Sequence, residues 1–191
     1  DKFNLNRDTS YKYDNKNANI NWKHIFNNRF YGVLSAGIDH YDYQVGYNGD
    51  SVNAEKLHFS IDQYKSSLDF SYFLNNKHTI AFGLSSIMYD INSGALSPLG
   101  KYSLVIPDTL QSEHGLESAA YLSDHYNVSS NFSIDAGIRY SMFNYLGAHS
   151  VNTYAPGLPV DLNNVIATTN YPSGKVIKTY MGPEYRVAAR Y

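Results

Sequence analysis

From residue 132 to 142 the chain alternates residue by residue. Phe132, Ile134, Ala136, Ile138, Tyr140 and Met142 are apolar or aromatic, whereas Ser133, Asp135, Gly137, Arg139 and Ser141 are small or polar. Successive side chains on a β-strand point to opposite faces, so this stretch predicts a strand with one oily and one polar face. The same period recurs where Leu68, Phe70, Tyr72 and Leu74 alternate with Ser67, Asp69 and Ser71, and where Ile80, Phe82, Leu84 and Met88 face away from Thr79, Ala81, Gly83 and Ser85. Near the end, Tyr185, Val187, Ala189 and Tyr191 alternate with Glu184, Arg186 and Arg190. Less regular strands fit residues 17–26, 30–43 and 116–125, and Ile25, Phe73 and Ile87 break the alternation. About seven strands result.

The links between these strands have their own order. Residues 27–29, 75–77 and 127–130 are short and rich in Asn, which suits tight turns. Residues 46–54, 92–112 and 144–174 are long, and short and long links alternate throughout. An antiparallel up-and-down meander in a transmembrane barrel wall has this order, with short periplasmic turns at one rim and longer extracellular loops at the other. A soluble sandwich gives alternating strands but has no reason to place its long links in strict turn. Stretches such as 80–88 and 132–142 match the roughly 9–11 residues that a tilted strand needs to cross a bilayer.

Composition sharpens the picture. The 191 residues include 19 Tyr and one Trp, and no long window collects strong helix formers. Tyr11, Tyr13, Tyr41, Tyr43, Tyr47, Tyr89, Tyr126, Tyr140 and Tyr145 gather at strand ends, where aromatic girdles flank the oily band of a barrel. No run of about 18 apolar residues exists, so no spanning helix is expected, a condition that leaves a barrel open. Asp39, Asp69, Glu117, Asp135, Arg139, Glu184, Arg186 and Arg190 all fall opposite the oily side, which in a barrel is the lumen. Oily positions are even on both strands of the hairpin 116–142, so paired residue numbers must sum to an even value. A three-residue turn there sets Glu117 opposite Arg139 as an ion pair.

Candidate chemistry is sparse. The chain has no cysteine, which excludes disulfides, thiolate metal sites and a thiol nucleophile. The formal net charge of −2 offers no basic face for nucleic acid. His24, His40, His58, His78, His114, His125 and His149 are scattered without metal-site spacing. His114 and His125 flank Glu117 and Asp124, a grouping that needs geometry before it earns an acid/base role. Neither G-x-S-x-G nor a phosphate-binding loop is present. The expectation is therefore a non-enzyme without cofactor or metal, and with no catalytic residue to name. Loop residues Tyr102, Tyr154 and Tyr171 are positioned to touch a ligand, without amounting to a site.

Residues 117–124 (ESAAYLSD) followed by 137–140 (GIRY) resemble the mid-barrel hairpin of TonB-dependent receptors, and 182–186 (GPEYR) resembles the next descending strand. Where that family commonly carries Pro before the Arg, this chain has Tyr185. The Asn-rich turns and many tyrosines are most similar to receptors of the Bacteroidetes group. The resemblance implies a 22-stranded outer-membrane barrel closed by a plug and energised through TonB, importing a scarce nutrient such as a metal chelate or a glycan. About seven strands cannot close that barrel. Residues 1–191, which open at Asp1 without a leader pattern, are thus expected to be a single barrel segment with plug and remaining strands outside it. Its partners would be outer-membrane lipid and, in the intact parent, TonB, the plug and an imported ligand. A complete small barrel of about eight strands serving as an adhesin, and a soluble carbohydrate-binding β-sandwich, stand as alternatives.

Overall fold

The computed structural model describes residues 8–191. Seven long strands form one antiparallel meander: β1 (Thr9–Asn27), β2 (Phe30–Tyr47), β3 (Glu55–Phe73), β4 (His78–Pro98), β6 (Glu113–Asn127), β7 (Ser133–Leu146) and β10 (Val176–Arg190), each hydrogen-bonded to the next in that order. The short β5 (Asp108–Thr109) pairs with the end of β4, and β8 (His149–Tyr154) with β9 (Val165–Tyr171) makes a separate hairpin inside the last long link. β1 and β10 do not pair with each other, so the sheet is open.

Turn chemistry explains the short rim. Asn27 Oδ1 accepts from the Arg29 amide at 2.9 Å, and Asn75 Oδ1 accepts from the amides of Lys77 and His78 at 2.8 and 3.0 Å. Asparagine thereby satisfies amides that the ladder leaves free. The turns after β1, β3 and β6 share one rim, and the long links after β2, β4 and β7 share the other. The expected alternation of links therefore holds.

Two expectations need correction. The strands run longer than the sequence pattern suggested, with β1 to β4 at 18 to 21 residues each. Their extra length lies at the long-link rim, where residues 92–98 join β4 instead of a loop. The link between β6 and β7 is five residues, not three, so Arg139 pairs with Tyr121 and Glu117 with Phe143. Parity was right and the register is displaced by four.

From β1 to β7 directly paired residues share parity over most of each ladder, and Met142↔Met181 carries the even side of β7 onto the odd positions of β10. The sheet thus has an even face and an odd face. Near the short-turn rim the even face is oily: Trp22, Leu34, Leu68, Leu84, Ala120, Tyr140 and Pro183 stand in a single row across all seven strands. Phe26, Phe30, Phe70 and Phe82 stack one on the next below it, at 4.8, 5.5 and 5.1 Å. The charged residues expected on the opposite side do lie there, on the odd face.

Midway along the strands the pattern inverts. Past Ile38, the next even row reads Lys16, His40, Asp62, Asp90 and His114 on β1 to β6, and ends on the apolar Leu146 of β7. On the odd face at that level stand Tyr41, Ile61 and Ile91, with Tyr43 and Phe59 beyond. Ile87, which breaks the alternation in the sequence, is the first odd apolar position of β4 at this crossover.

Almost nothing is buried between layers. Among the described residues only Ala54, Ala119 and Leu146 are buried apolar side chains. The accessible area is 13493 Å², against about 9,200 Å² for a compact folded monomer of this mass. Trp22, Leu84 and Val187 are 61%, 59% and 78% exposed. A sandwich needs a second sheet to cover its oily face, and the described residues form no such layer.

Candidate ligand-binding wall

The inversion collects aromatic residues on the odd face of the sheet, next to the long links. Tyr13, Tyr43 and Phe59 form one row, with Tyr43 and Phe59 stacked at 6.2 Å between ring centres. Gln63, Tyr89, Gly115, Tyr145 and Lys178 form another. Strand geometry dictates this grouping: residues two apart on a strand reach the same side, and directly paired residues on neighbouring strands reach the same height.

Gly115 shapes the wall. The Phe143 ring lies over it so closely that a Cβ there would sit 2.6 Å from the ring. Without a side chain at 115, a recess of about 350 Å³ opens between Tyr89 and Tyr145, bounded by Ile91, Glu113 and Phe143. That volume lies at the small end of ligand pockets.

Polar groups in and beneath the recess are linked to each other. The Tyr89 hydroxyl donates to Glu117 Oε2 at 3.3 Å, and Arg139 Nη2 donates to Glu117 Oε1 at 3.3 Å. Arg139 Nε also donates to the Ser141 hydroxyl at 3.0 Å, and that hydroxyl donates to Glu184. Burial, reinforced by the nearby Glu113 carboxylate, pushes the Tyr145 hydroxyl well above its ordinary value. Glu113 also faces His149 at 3.9 Å, and the His149 ring meets Tyr145 edge-on at 5.5 Å. Two hydrogen bonds between Gln111 and Ser150, at 2.8 and 3.3 Å, hold the base of the β8–β9 hairpin beside the preceding link.

On the even face at this height, the side chains are charged and paired. His40 meets Asp62 at 2.7 Å, His58 meets Asp42 at 2.5 Å and His114 meets Asp90 at 3.4 Å. Near the short-turn rim His78 pairs with Asp124 at 2.6 Å on the even face, and His125 with Asp135 at 2.7 Å on the odd face. The grouping of His114, Glu117, Asp124 and His125 does not assemble. Two of its members face each side of the sheet, and each histidine already has another carboxylate partner.

The loop tyrosines are dispersed. Tyr102 carries Lys101 over its ring at 4.8 Å, while Tyr154 and Tyr171 sit at opposite ends of the β8–β9 hairpin. Of the tyrosines expected to form a girdle beside the oily band, only Tyr126 and Tyr140 lie on the even face. Tyr11, Tyr13, Tyr41, Tyr43, Tyr47, Tyr89 and Tyr145 lie on the other. The signal that separates the two sets is a one-residue phase change within a strand, as in β2, where Leu34, Ala36 and Ile38 give way to Tyr41, Tyr43, Val45 and Tyr47. The chain matches no known family model, no curated protein and no solved structure.

Proposed function

We propose that this chain is part of the wall of an outer-membrane β-barrel, of the TonB-dependent receptor kind, that imports a scarce nutrient such as a metal chelate or a glycan. The even face meets lipid, the odd face lines the lumen, and the aromatic wall above the bilayer receives the ligand. The protein performs no covalent chemistry in this reading.

The observation that carries it is the inversion of the oily face at one height on β1, β2, β3 and β4. Within a bilayer the outside of a barrel is hydrocarbon and the lumen is polar. Above the bilayer the outside is water, so apolar side chains belong inside. A soluble sandwich keeps its oily face on one side for the whole strand, because its core does not change sides. The dimensions agree. The nine residues from Phe30 to Ile38 cover roughly 30 Å along the strand and about 23 Å of height at a tilt of ~40°, beside an apolar band of about 25 Å in such barrels.

The single tryptophan tests this directly, because Trp22 stands in the middle oily row. In bilayers whose acyl chains carry bromine near mid-chain, Trp22 emission should be strongly quenched and blue-shifted. Emission indifferent to bromine at every depth would end the membrane reading.

A further inference from the structure

We infer that a hollow on the even face, between Lys12 and Lys56 at the long-link rim, binds a phosphate carried on the sugar headgroup of an outer-leaflet glycolipid. This rests on the membrane reading above for the direction in which the even face points, outward from the barrel.

Charge locates the site. In the rows just above the oily band the charges compensate each other: Lys16 meets Asp14 at 2.6 Å, His40 meets Asp62, His58 meets Asp42 and His114 meets Asp90. Lys12 and Lys56 stand beyond them on the same face, and among the described residues neither is paired with a carboxylate. Together they line a hollow of about 580 Å³. Its one carboxylate, Asp14, is the one held by Lys16, and Asp8 lies over Gly49 outside the lining.

The backbone arrangement lets both lysines serve one anion. Lys12 lies on β1 and Lys56 on β3, one row further along, so their Cα atoms start roughly 12 Å apart. Gly46, on the strand between them, puts no side chain in the way. Each ammonium rides on a flexible four-carbon stem and binds phosphate as a point charge, so the two close on it from opposite sides. Gln44, directly across from Lys12, gives one amide hydrogen to Asp42 at 3.2 Å and keeps the other for a phosphate oxygen.

Height selects the lipid. On β2, Gln44 lies six residues beyond Ile38, the last residue of the oily band. At roughly 3.3 Å per residue and a tilt of ~40°, Gln44 and Lys12 stand about 15 Å above the hydrocarbon. The headgroup layer of a phospholipid bilayer adds only about 5–8 Å on each side. A phospholipid phosphate is therefore level with Lys16, His40 and His114, each already paired, and below Lys12 and Lys56. A phosphate raised on sugar rings reaches the hollow.

The experiment is native mass spectrometry of the full chain in detergent micelles, counting retained lipid. The probes are a rough lipopolysaccharide with phosphorylated core sugars, the same glycolipid after chemical dephosphorylation, phosphatidylglycerol and inorganic phosphate. The phosphorylated glycolipid should be retained, and retention should fall about tenfold or more in the double variant Lys12→Ala/Lys56→Ala. Lys12→Arg/Lys56→Arg should keep it, as should Lys77→Ala in the turn after β3. A Trp22 emission spectrum identical to the unsubstituted chain identifies variants that remain folded. Equal retention of the dephosphorylated glycolipid overturns the inference, and so does retention indifferent to the double alanine variant. A loss in that variant that falls equally on phosphatidylglycerol overturns the choice of a sugar-borne phosphate, and displacement of the glycolipid by an equal concentration of inorganic phosphate makes this a site for the free ion. Failure of the membrane reading appears separately, as Trp22 emission untouched by brominated lipid. A chain that passes that test and retains no glycolipid removes this inference alone.

Discussion

Arg139 lies directly across the ladder from Tyr121, yet its guanidinium reaches Glu117, two rows further along the same face, at 3.3 Å. The row between them holds only Ala119 and Ser141, and the arginine stem passes over these small side chains. Both partners are well exposed, at 41% and 33%, so the pair is weak despite its reach. A double-mutant cycle of Glu117→Ala and Arg139→Ala, read from denaturant unfolding in detergent, should give a coupling of about 0.2–1 kcal/mol that shrinks with salt. A coupling above about 2 kcal/mol would mean that the pair is desolvated and that this face is not a wet lumen.

Asp42 gives the chain an acid-sensitive contact outside the oily band. Its hydrogen bond from His58 at 2.5 Å holds the carboxyl below its ordinary value. A carboxyl lowered by folding stabilises the fold above its unfolded value of about 3.9, and that contribution is lost as pH falls through the lowered folded value. Partial exposure limits it to about 1 kcal/mol or less. Asp42→Asn should therefore be destabilising near neutral pH and nearly neutral at pH ~2, measured as the difference in denaturant midpoint. A difference that grows on acidification contradicts this assignment.

Link lengths predict sidedness. The tip between β8 and β9, residues 155–164, faces the cell exterior in the proposed orientation, and the turn 74–77 faces the periplasm. Protease added to intact cells that display the parent protein should cut the first and spare the second until the membrane is opened. Equal cutting at both places in intact cells reverses or removes that topology.

Strand existence, antiparallel order and link alternation were legible because period-2 patterning and Asn-rich turns are local properties. Residues 132–142 announced β7 to within a residue at its start, and the charged set from Asp39 to Arg190 fell on one face as read. The register of Glu117 against Arg139 was not legible, since it depends on whether three or five residues close the turn, and parity is the same for both. The aromatic wall was missed for a different reason. Alternation followed from the oily half of each strand makes Tyr41, Tyr43 and Tyr89 flanks of the oily band. Their side of the sheet is set by a phase change near Ile38 and Ile87, two positions that come level to within a residue only once the strands are aligned.

Gly115 tests whether the recess depends on a missing side chain. A Cβ at this position meets the Phe143 ring at 2.6 Å, so Gly115→Val must displace that ring. The cost expected from overpacking is about 1–3 kcal/mol, read from denaturant unfolding. Gly182→Ala on β10 meets nothing within 4 Å and should cost little by comparison. Equal costs at the two positions would remove the argument that Phe143 rests on Gly115.

Depth along β4 separates a bilayer from any other apolar surroundings. Leu84 and Asp90 lie on the same even face, six residues apart, with Leu84 in the middle oily row and Asp90 in the charged row above it. Arginine at a lipid-facing midplane position costs about 2–4 kcal/mol in outer-membrane barrels and about 0–1 kcal/mol near the interface. Leu84→Arg should lose stability in that larger range when folding into vesicles is followed by Trp22 emission against denaturant. Asp90→Arg should fall in the smaller range, even though it removes the carboxylate partner of His114 and sets a guanidinium beside that ring. The two variants should differ far less in detergent micelles, whose apolar zone adapts around the chain. A water-soluble sheet covered by a partner protein would also penalise Leu84→Arg, but that penalty would not change with bilayer thickness. Lengthening the acyl chains until the hydrocarbon reaches the level of Asp90 should raise the cost of Asp90→Arg, and a cost that stays constant across lipids of increasing length rules out lipid contact on this face.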